Sequence, residues 1–364
     1  MASCRRYSRH VREGPADQKD GGAPSAVLPP SRLPTIRDVA RFAGVGKTTA
    51  SDALQGRGRI SSLTRERVLA AAEQLGYHPH LGARDLTRQR TEVIGAVAGD
   101  LFDPFVGELT GRLEQQAAER GFRVLLATAG SGLRKEKPAI VSLLEHRVAA
   151  IILIAFTGDR QVLEMIGAHV PVIYMGCEGP SGVSIRIDER RAGELATAHL
   201  IGLGHERIAY VSAALLPPQT DRDRLYGYRR ALRRAGIAPA QELVQRLGGA
   251  SEEQRRELLG RLLSGPERPT AVFAASDITA IELMSCASEL RIRVPRDLSI
   301  VGFDDILLAR TPMIALTTIA QSTAELASRA LDAASSLIED RGSTPDGVLL
   351  EPRLVVRRTT APPR

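Results

Sequence analysis

From residue 92 onward the chain repeats one pattern, a short apolar run followed by an amphipathic stretch. The runs are Val93–Ala98, Val124–Ala127, Ala150–Ile154, Val170–Tyr174, Ile208–Val211, Ala271–Ala274 and Ser299–Phe303. Helical segments are expected between them, near 105–120, 139–146, 160–168, 190–202, 222–235, 252–264 and 277–290. A run with no polar alternation must be buried on both faces. Strands alternating with helices give that burial in parallel sheets covered by helices on each side. These runs, with further apolar runs in the C-terminal tail, suit two doubly wound lobes better than one. Ligands of such sheets sit in the crevice beyond the strand C-termini. Polar and aromatic residues just after the strands are therefore the binding-site candidates.

The N-terminal part follows a different rule. Residues 1–34 are rich in Arg, Gly, Pro and Ser without apolar periodicity, and a disordered basic tail is expected. Over 35–76 the period is helical. Thr35 is placed to cap a helix whose Ile36, Val39, Ala40 and Ala43 share one face, and Gly44 ends it. Ala50, Ala53 and Leu54 form the apolar face of a second, short helix before Gly56 and Gly58. Ser61 can cap a third, with Val68, Leu69, Ala72 and Leu75 pointing inward before Gly76. Three short helices bury one small core, the size of a helix-turn-helix head. The expected division is a tail (1–34), a helix-turn-helix domain (35–78), a connector (79–90) and an α/β core (91–364). The core's first lobe is expected at about 91–198 and 318–340, and its second at about 199–317 and 341–358.

Charge separates the same regions. Residues 1–90 hold 16 Lys and Arg against 8 Asp and Glu, and the remaining residues hold 33 against 34. A basic head on a near-neutral body suits a polyanionic partner. No apolar run reaches the roughly 18 residues of a membrane span. The basic N-terminus lacks the apolar centre of a signal peptide, so a cytoplasmic protein with no membrane partner is expected. Cys4, Cys177 and Cys286 are too scattered for a disulfide framework or a zinc site.

The stretch "GVGKTT", Gly44 to Thr49, raises one competing reading, a nucleotide-binding loop. That motif needs a first glycine at position 41, which is Arg41. A variant loop opening Lys-Gly-Gly fails at Phe42 and Ala43. The preceding segment is an amphipathic helix rather than a buried strand, so nothing would present phosphate to backbone N–H groups. As a helix-turn-helix every residue has a task. Gly44 turns the chain, Gly46 opens the second helix, and Lys47, Thr48, Ser51 and Asp52 occupy its outer face.

"TIRDVARFAGVGKTTASDALQGRGRISSLTRERVLAAAEQLGYHPH" resembles the head of the lactose-repressor/galactose-repressor family of bacterial regulators. The likeness continues in order through "PFVGELTGRLEQQAAERGFRVLLAT", "ELATAHLIGLGHERIAYV", "DRLYGYRRALRRAGI", "SIVGFDDILLAR" and "LTTIAQ". The resemblance implies a three-helix head, a hinge helix and a core of two lobes of periplasmic-binding-protein type. It implies a repressor that binds a near-palindromic double-stranded DNA operator as a homodimer or higher oligomer. A small effector, a sugar or other polar metabolite, would enter the interlobe cleft.

On the DNA side, the resemblance places Lys47, Thr48 and Asp52 at base edges in the major groove. An Arg is common in the family where this chain has Asp52. Arg pairs with guanine, whereas Asp accepts from cytosine N4, so a different operator base is expected there. The alternative is that Asp52 orients Lys47 or Arg57. Thr35, Thr49, Arg59, Ser61 and Thr64 match backbone-contacting positions, which fix register and carry little sequence information. Each is equally suited to capping or turning. Ala83 and Leu86 match the hinge positions that enter the minor groove, where a leucine wedge kinks DNA. Gly82 weakens that helix, consistent with ordering on the operator.

On the effector side, the resemblance assigns Asp100, Phe105, Arg224, Ser276 and Asp304 to the ligand. Ser276 stands where many sugar-binding members carry Asn, and the chain has no Trp, which weakens a sugar reading. From the residues alone, Asp188 and Asp304 are equally suited to capping, and Arg222 could replace Arg224. No catalytic constellation, cofactor motif or metal cluster is seen in the sequence, so no enzyme is expected. A transporter's solute receptor would share the core, but it needs an export signal and no DNA-reading head.

Overall fold

A computed structural model describes residues 33–78, 91–129, 136–154, 166, 170–179, 182–213, 217–340, 342 and 345–364. The expected tail over 1–32 and the connector over 79–90, with Ala83 and Leu86, lie outside the described residues. Two compact units meet near residue 88 in sequence.

The first unit holds helices α1 (Ile36–Phe42), α2 (Lys47–Gln55) and α3 (Ser62–Gln74). Local chemistry starts and stops each of them. The Asp38 carboxylate accepts both the Thr35 N–H (2.9 Å) and the Thr35 hydroxyl (2.6 Å). Ser61 caps α3 by accepting the Thr64 N–H. Gly44 and Gly56 take the left-handed conformation that closes the first two helices. Val39, Ala40, Ala50, Ala53, Val68 and Ala71 make the small core, with Leu54 packed at its edge. Arg67 ties α3 to the end of α1 by donating to the Ala43 carbonyl (3.1 Å). Leu69, expected inward, is 49% exposed. Val68 takes the core position beside it, and a helix cannot turn two successive residues inward equally.

The second unit contains two six-stranded sheets. Lobe one has the strand order β11-β5-β4-β3-β1-β2 and lobe two β12-β10-β9-β8-β6-β7. Lobe one uses β1 (Val93–Ala98), β2 (Arg123–Thr128), β3 (Ile151–Ile154), β4 (Val172–Met175), β5 (Val183–Ile187) and β11 (Val348–Leu350). Lobe two uses β6 (Ile208–Ser212), β7 (Val244–Arg246), β8 (Ala271–Ala274), β9 (Ser299–Asp304), β10 (Thr317–Ala320) and β12 (Arg353–Val355). Among the described residues all pairings are parallel except β10 with β12. The central strands β3, β6, β8 and β9 are buried along their whole length. The helices between them are α4 (Pro104–Glu119), α5 (Glu136–Glu145), α6 (Glu189–Gly202), α7 (Pro218–Arg234), α8 (Glu252–Leu263), α9 (Asp277–Glu289), α10 (Leu307–Arg310) and α11 (Thr323–Glu339).

The lobe boundaries correct the division read from sequence. α6 packs on lobe two, so the first crossing falls near residue 188 rather than 198. β10 pairs with β9 in lobe two, and β11 pairs with β5 in lobe one. The chain thus crosses between lobes three times. Periodicity marks a strand but not the sheet it joins, so it does not locate these crossings. Each sheet reverses its order beside its first strand, β1 or β6, and the loops after the strands gather at those switch points.

Candidate functional site

The head exposes one face of α2. Gly46, in extended conformation, is the residue before the helix, so Lys47 and Thr48 lead it and both are exposed. A lysine at the positive end of a helix opposes the helix dipole. Its placement there does not serve helix stability and leaves an exposed cation at the leading end of the helix. Thr49 and Ser51 are half-buried, and Gln55 donates to the Ser51 hydroxyl (3.2 Å). Asp52 is half-buried beside Gly58, where a Cβ would lie 3.5 Å from its carboxylate. Among the described residues its carboxylate makes no hydrogen bond or ion pair with Lys47 or Arg57. Ser61 and Thr64 are engaged in the α3 cap, their hydroxyls 2.9 Å apart, while Arg59 is exposed.

The core cleft is built from strand ends. α6 and α7 pack backbone to backbone through Gly193 and Gly227; a Cβ on either would strike the other helix's carbonyls. That close approach brings Glu189, at the start of α6, against Arg224 in α7. Arg224 is 3% exposed. Its Nε and Nη2 donate to the two Glu189 carboxylate oxygens at 2.7 and 3.2 Å, and Nη1 donates to the Ala275 carbonyl at 2.5 Å. The guanidinium carbon lies 3.4 Å from the centre of the Phe303 ring. Burial works against the Arg224 charge, but the Glu189 carboxylate outweighs it and holds the guanidinium pKa above its ordinary value.

Carboxyls crowd the same cleft. Asp304 ends β9 with φ at 117° and accepts one hydrogen bond on Oδ1 from Gln321 Nε2 (2.7 Å). Burial raises its pKa well above its ordinary value; Arg224 opposes the shift, while Asp277 and Asp103 add to it. Asp277 is fully buried. It accepts from the Thr318 hydroxyl (2.6 Å) and the Ile306 N–H (2.9 Å), and burial pushes its pKa up to about 7. Gly302 leaves room for it, since a Cβ there would collide with the carboxylate. Asp103, on lobe one, caps α4 through the Phe105 N–H (2.9 Å), and burial raises its pKa as well. The Leu307 N–H of lobe two donates to Glu108 Oε1 of lobe one (2.6 Å), joining the facing walls.

Among the residues named from sequence, Arg224 and Asp304 come together here. Asp100 is exposed and accepts the Phe102 N–H (2.9 Å), close enough for its charge to bear on Asp103. Phe105 is 9% exposed and packs in the hydrophobic core. Ser276 caps α9 by accepting the Thr279 N–H (3.1 Å). Asp188 caps α6 through Arg191, and Arg222 lies at the surface on Gln219. Sequence reasoning missed Glu189, Gln321, Asp103 and Asp277. Each follows a strand or opens a helix, the position already searched, but the pairings of Glu189, Gln321 and Asp277 span distant parts of the chain, while Asp103 pairs locally. A cavity of about 300 Å3 adjoins Glu189 between the lobes. Its walls carry Glu178, Arg186 and Leu349 from lobe one and Arg190, Gln219 and Asp223 from lobe two. None of the five effector residues named from sequence lines it.

Among the described residues, no helix is long and apolar enough to cross a membrane. Residues 35–80 match the model described as bacterial regulatory proteins, lacI family, and residues 197–360 match a periplasmic binding protein-like domain. The chain is 33% identical to the HTH-type transcriptional regulator DegA of Bacillus subtilis over 90% of its own length and 98% of that protein's. It is 34% identical to the regulator GalR of Escherichia coli K12, covering 91% and 97% of the two chains. Among solved structures, the lac repressor dimer bound to operator and the anti-inducer ONPF superposes with a TM-score of 0.78 at 28% identity. That match covers 91% of this chain and all of the repressor chain. A CelR–cellobiose complex matches with a TM-score of 0.67 at 29% identity, covering 90% and 99% of the two chains. With the exposed α2 face and the two-lobed core on one chain, these findings establish that the protein belongs to the lacI family of bacterial transcription regulators.

Proposed function

We propose that the protein is a non-catalytic, cytoplasmic repressor that binds a near-palindromic operator as a homodimer and responds to a small polar effector. The observation that carries this reading is α2, with Lys47 and Thr48 exposed at its leading end and Asp52 beside them. Lys47, Thr48 and Asp52 read base edges in the major groove. Thr35, Thr49, Arg59, Ser61 and Thr64 hold the phosphate backbone and set register. Ala83 and Leu86 enter the minor groove between the half-sites. Two heads related by a two-fold axis then require a two-fold-related operator.

The effector acts through the cleft, where Arg224 and Asp304 are its main anchors, and Asp100, Phe105 and Ser276 complete the set carried over from the family. It favours one arrangement of the lobes. The coupling to DNA affinity is expected at the usual scale of about 1–3 kcal/mol. Asp52 gives the most specific test. Operators selected from a random duplex pool by the protein and by its Asp52→Arg variant should differ at one symmetric base pair, changing from a cytosine-accepting to a guanine-reading contact. Identical preferences at every position would remove the readout role of Asp52. Failure to select any sequence would remove the repressor reading itself.

A further inference from the structure

Taking the interlobe cleft as the effector site, as above, the loop that carries Asp304 also carries a contact to the other lobe. We propose that residues 304–307 couple the cleft to the lobe arrangement, with Glu108 of lobe one as the latch that this loop sets or releases. Successive residues of the loop hold different parts of the molecule. Asp304 accepts from Gln321 Nε2 (2.7 Å), and its carbonyl accepts the Gln321 N–H (3.3 Å). Gln321 lies between β10 of lobe two and α11 of lobe one, where the chain crosses. Asp305 accepts from Arg357 Nη2 (2.6 Å), in the segment after β12, and pairs with Arg310 (3.3 Å). Asp277 takes the Ile306 N–H (2.9 Å), and Glu108 takes the Leu307 N–H (2.6 Å).

The backbone of this loop is held rather than relaxed. Asp304 and Asp305 have φ of 117° and 59°. Neighbouring non-glycine residues at positive φ persist only where their surroundings fix them, and such strain gathers at switch regions. A loop pinned at each residue cannot absorb a change at Asp304 locally. A shift there is passed along to the Leu307 N–H.

The latch is placed to open and close. Glu108 is half-buried on α4, and among the described residues it forms no ion pair. A carboxylate accepting a backbone N–H makes a charge-assisted hydrogen bond, stronger than a neutral one. Leu307 is 68% exposed, so that bond can break without uncovering a buried apolar side chain. Phe105, proposed above for the effector, lies one turn before Glu108 on the same helix. The latch therefore joins the helix that carries one cleft residue to the loop that carries another.

The test is hydrogen exchange of the full chain, resolved to single amides, with operator titration beside it. Glu108→Ala should speed exchange of the Leu307 amide by about tenfold or more. Glu108→Gln keeps an acceptor oxygen and should restore most of the protection. Gln321→Ala, at the other end of the loop, should speed the same amide by about threefold or more; Asp305→Asn replaces it if its cooperative melt is lost. An unchanged Leu307 amide in Glu108→Ala overturns the latch. An amide that answers to Glu108 but not to the loop variant overturns the relay from Asp304. On a selected operator, Glu108→Ala should change affinity by about fivefold or more with its melt unchanged, a response that a merely structural contact would not give. Specific operator binding by the parent, unaltered in Glu108→Ala, defeats this inference alone. Absence of specific DNA binding by the parent defeats the repressor reading, and the exchange of Leu307 still decides the latch.

Discussion

The α2 face of the head and the core cleft are both polar, but they are polar in opposite ways. Lys47 and Thr48 are exposed, adjacent in sequence and free of fixed partners on their own helix. Arg224, Glu189, Asp277 and Asp304 are buried, come from separate elements (the body of α7, the starts of α6 and α9, and the end of β9), and are held by specific hydrogen bonds. A surface that reads a long polymer needs donors and acceptors left open to solvent. A site that senses one small molecule needs groups fixed in advance and shielded from water, where electrostatics are strong. The head therefore tolerates substitution in its stability, but its specificity changes. The cleft should lose stability and response together.

The largest contrast is expected at Arg224. Arg224→Ala leaves Glu189 buried without its cation and should lower core stability by about 3–5 kcal/mol in urea unfolding. The double change Arg224→Met with Glu189→Leu should recover much of that loss. Lys47→Ala, by comparison, should leave the melt unchanged and weaken DNA binding with a shallower salt slope.

The next effect is on pH dependence. The Asp277 pKa is raised to about 7 in the folded core, against an unfolded value of about 3.9. The folded state therefore holds a proton that the unfolded state has lost across that window. Stability from the protonated group is full below about pH 4 and is lost as pH rises toward 7. Asp277→Asn, which cannot ionise, should gain stability relative to the parent over the same interval, measured by melting at pH 4.5, 6 and 7.5. A constant difference between the two proteins would contradict the buried-carboxyl account.

Gly227→Ala comes after it. The added methyl meets the Arg190 carbonyl and forces α6 from α7. A loss of about 1–3 kcal/mol is expected, with weaker effector response because Glu189 and Arg224 separate. The smallest effect is Ser61→Ala in the head. It removes the α3 cap, for about 1 kcal/mol of head stability, read by hydrogen exchange of the α3 amides, with the core's exchange unaltered.

The same contrast explains what the sequence made legible. β3, β8 and β9 are buried throughout, so their apolar runs stand out. β5 buries only alternate residues, so no apolar run announces it. β10 begins with Thr317 and Thr318, both fully buried, and their hydroxyls are satisfied by partners far along the chain. No local pattern announces that. In the head, caps and turns lie within a few residues of the helices they serve, so Thr35, Gly44 and Ser61 could be placed from sequence. Arg224 and Asp304 could be named through family likeness, and Asp304 also by its place at a strand end. Glu189 could not, because it acquires meaning only from a helix 35 residues away. Asp52 is half-buried against Gly58, and the base contact proposed for it would be a property of the complex rather than of the free head.

The central claim joins the two regions: a head that reads sequence, controlled by a cleft that senses a small molecule. The most direct measurement is fluorescence anisotropy of the full chain on a selected operator and on a scrambled duplex, at fixed salt, with and without a compound that stabilises the core. The account predicts that the operator binds at least about a thousandfold more tightly than the scrambled duplex, and that the compound changes operator affinity by roughly 5- to 150-fold. Equal affinity for the two duplexes, or operator affinity indifferent to every compound that binds the core, would contradict it.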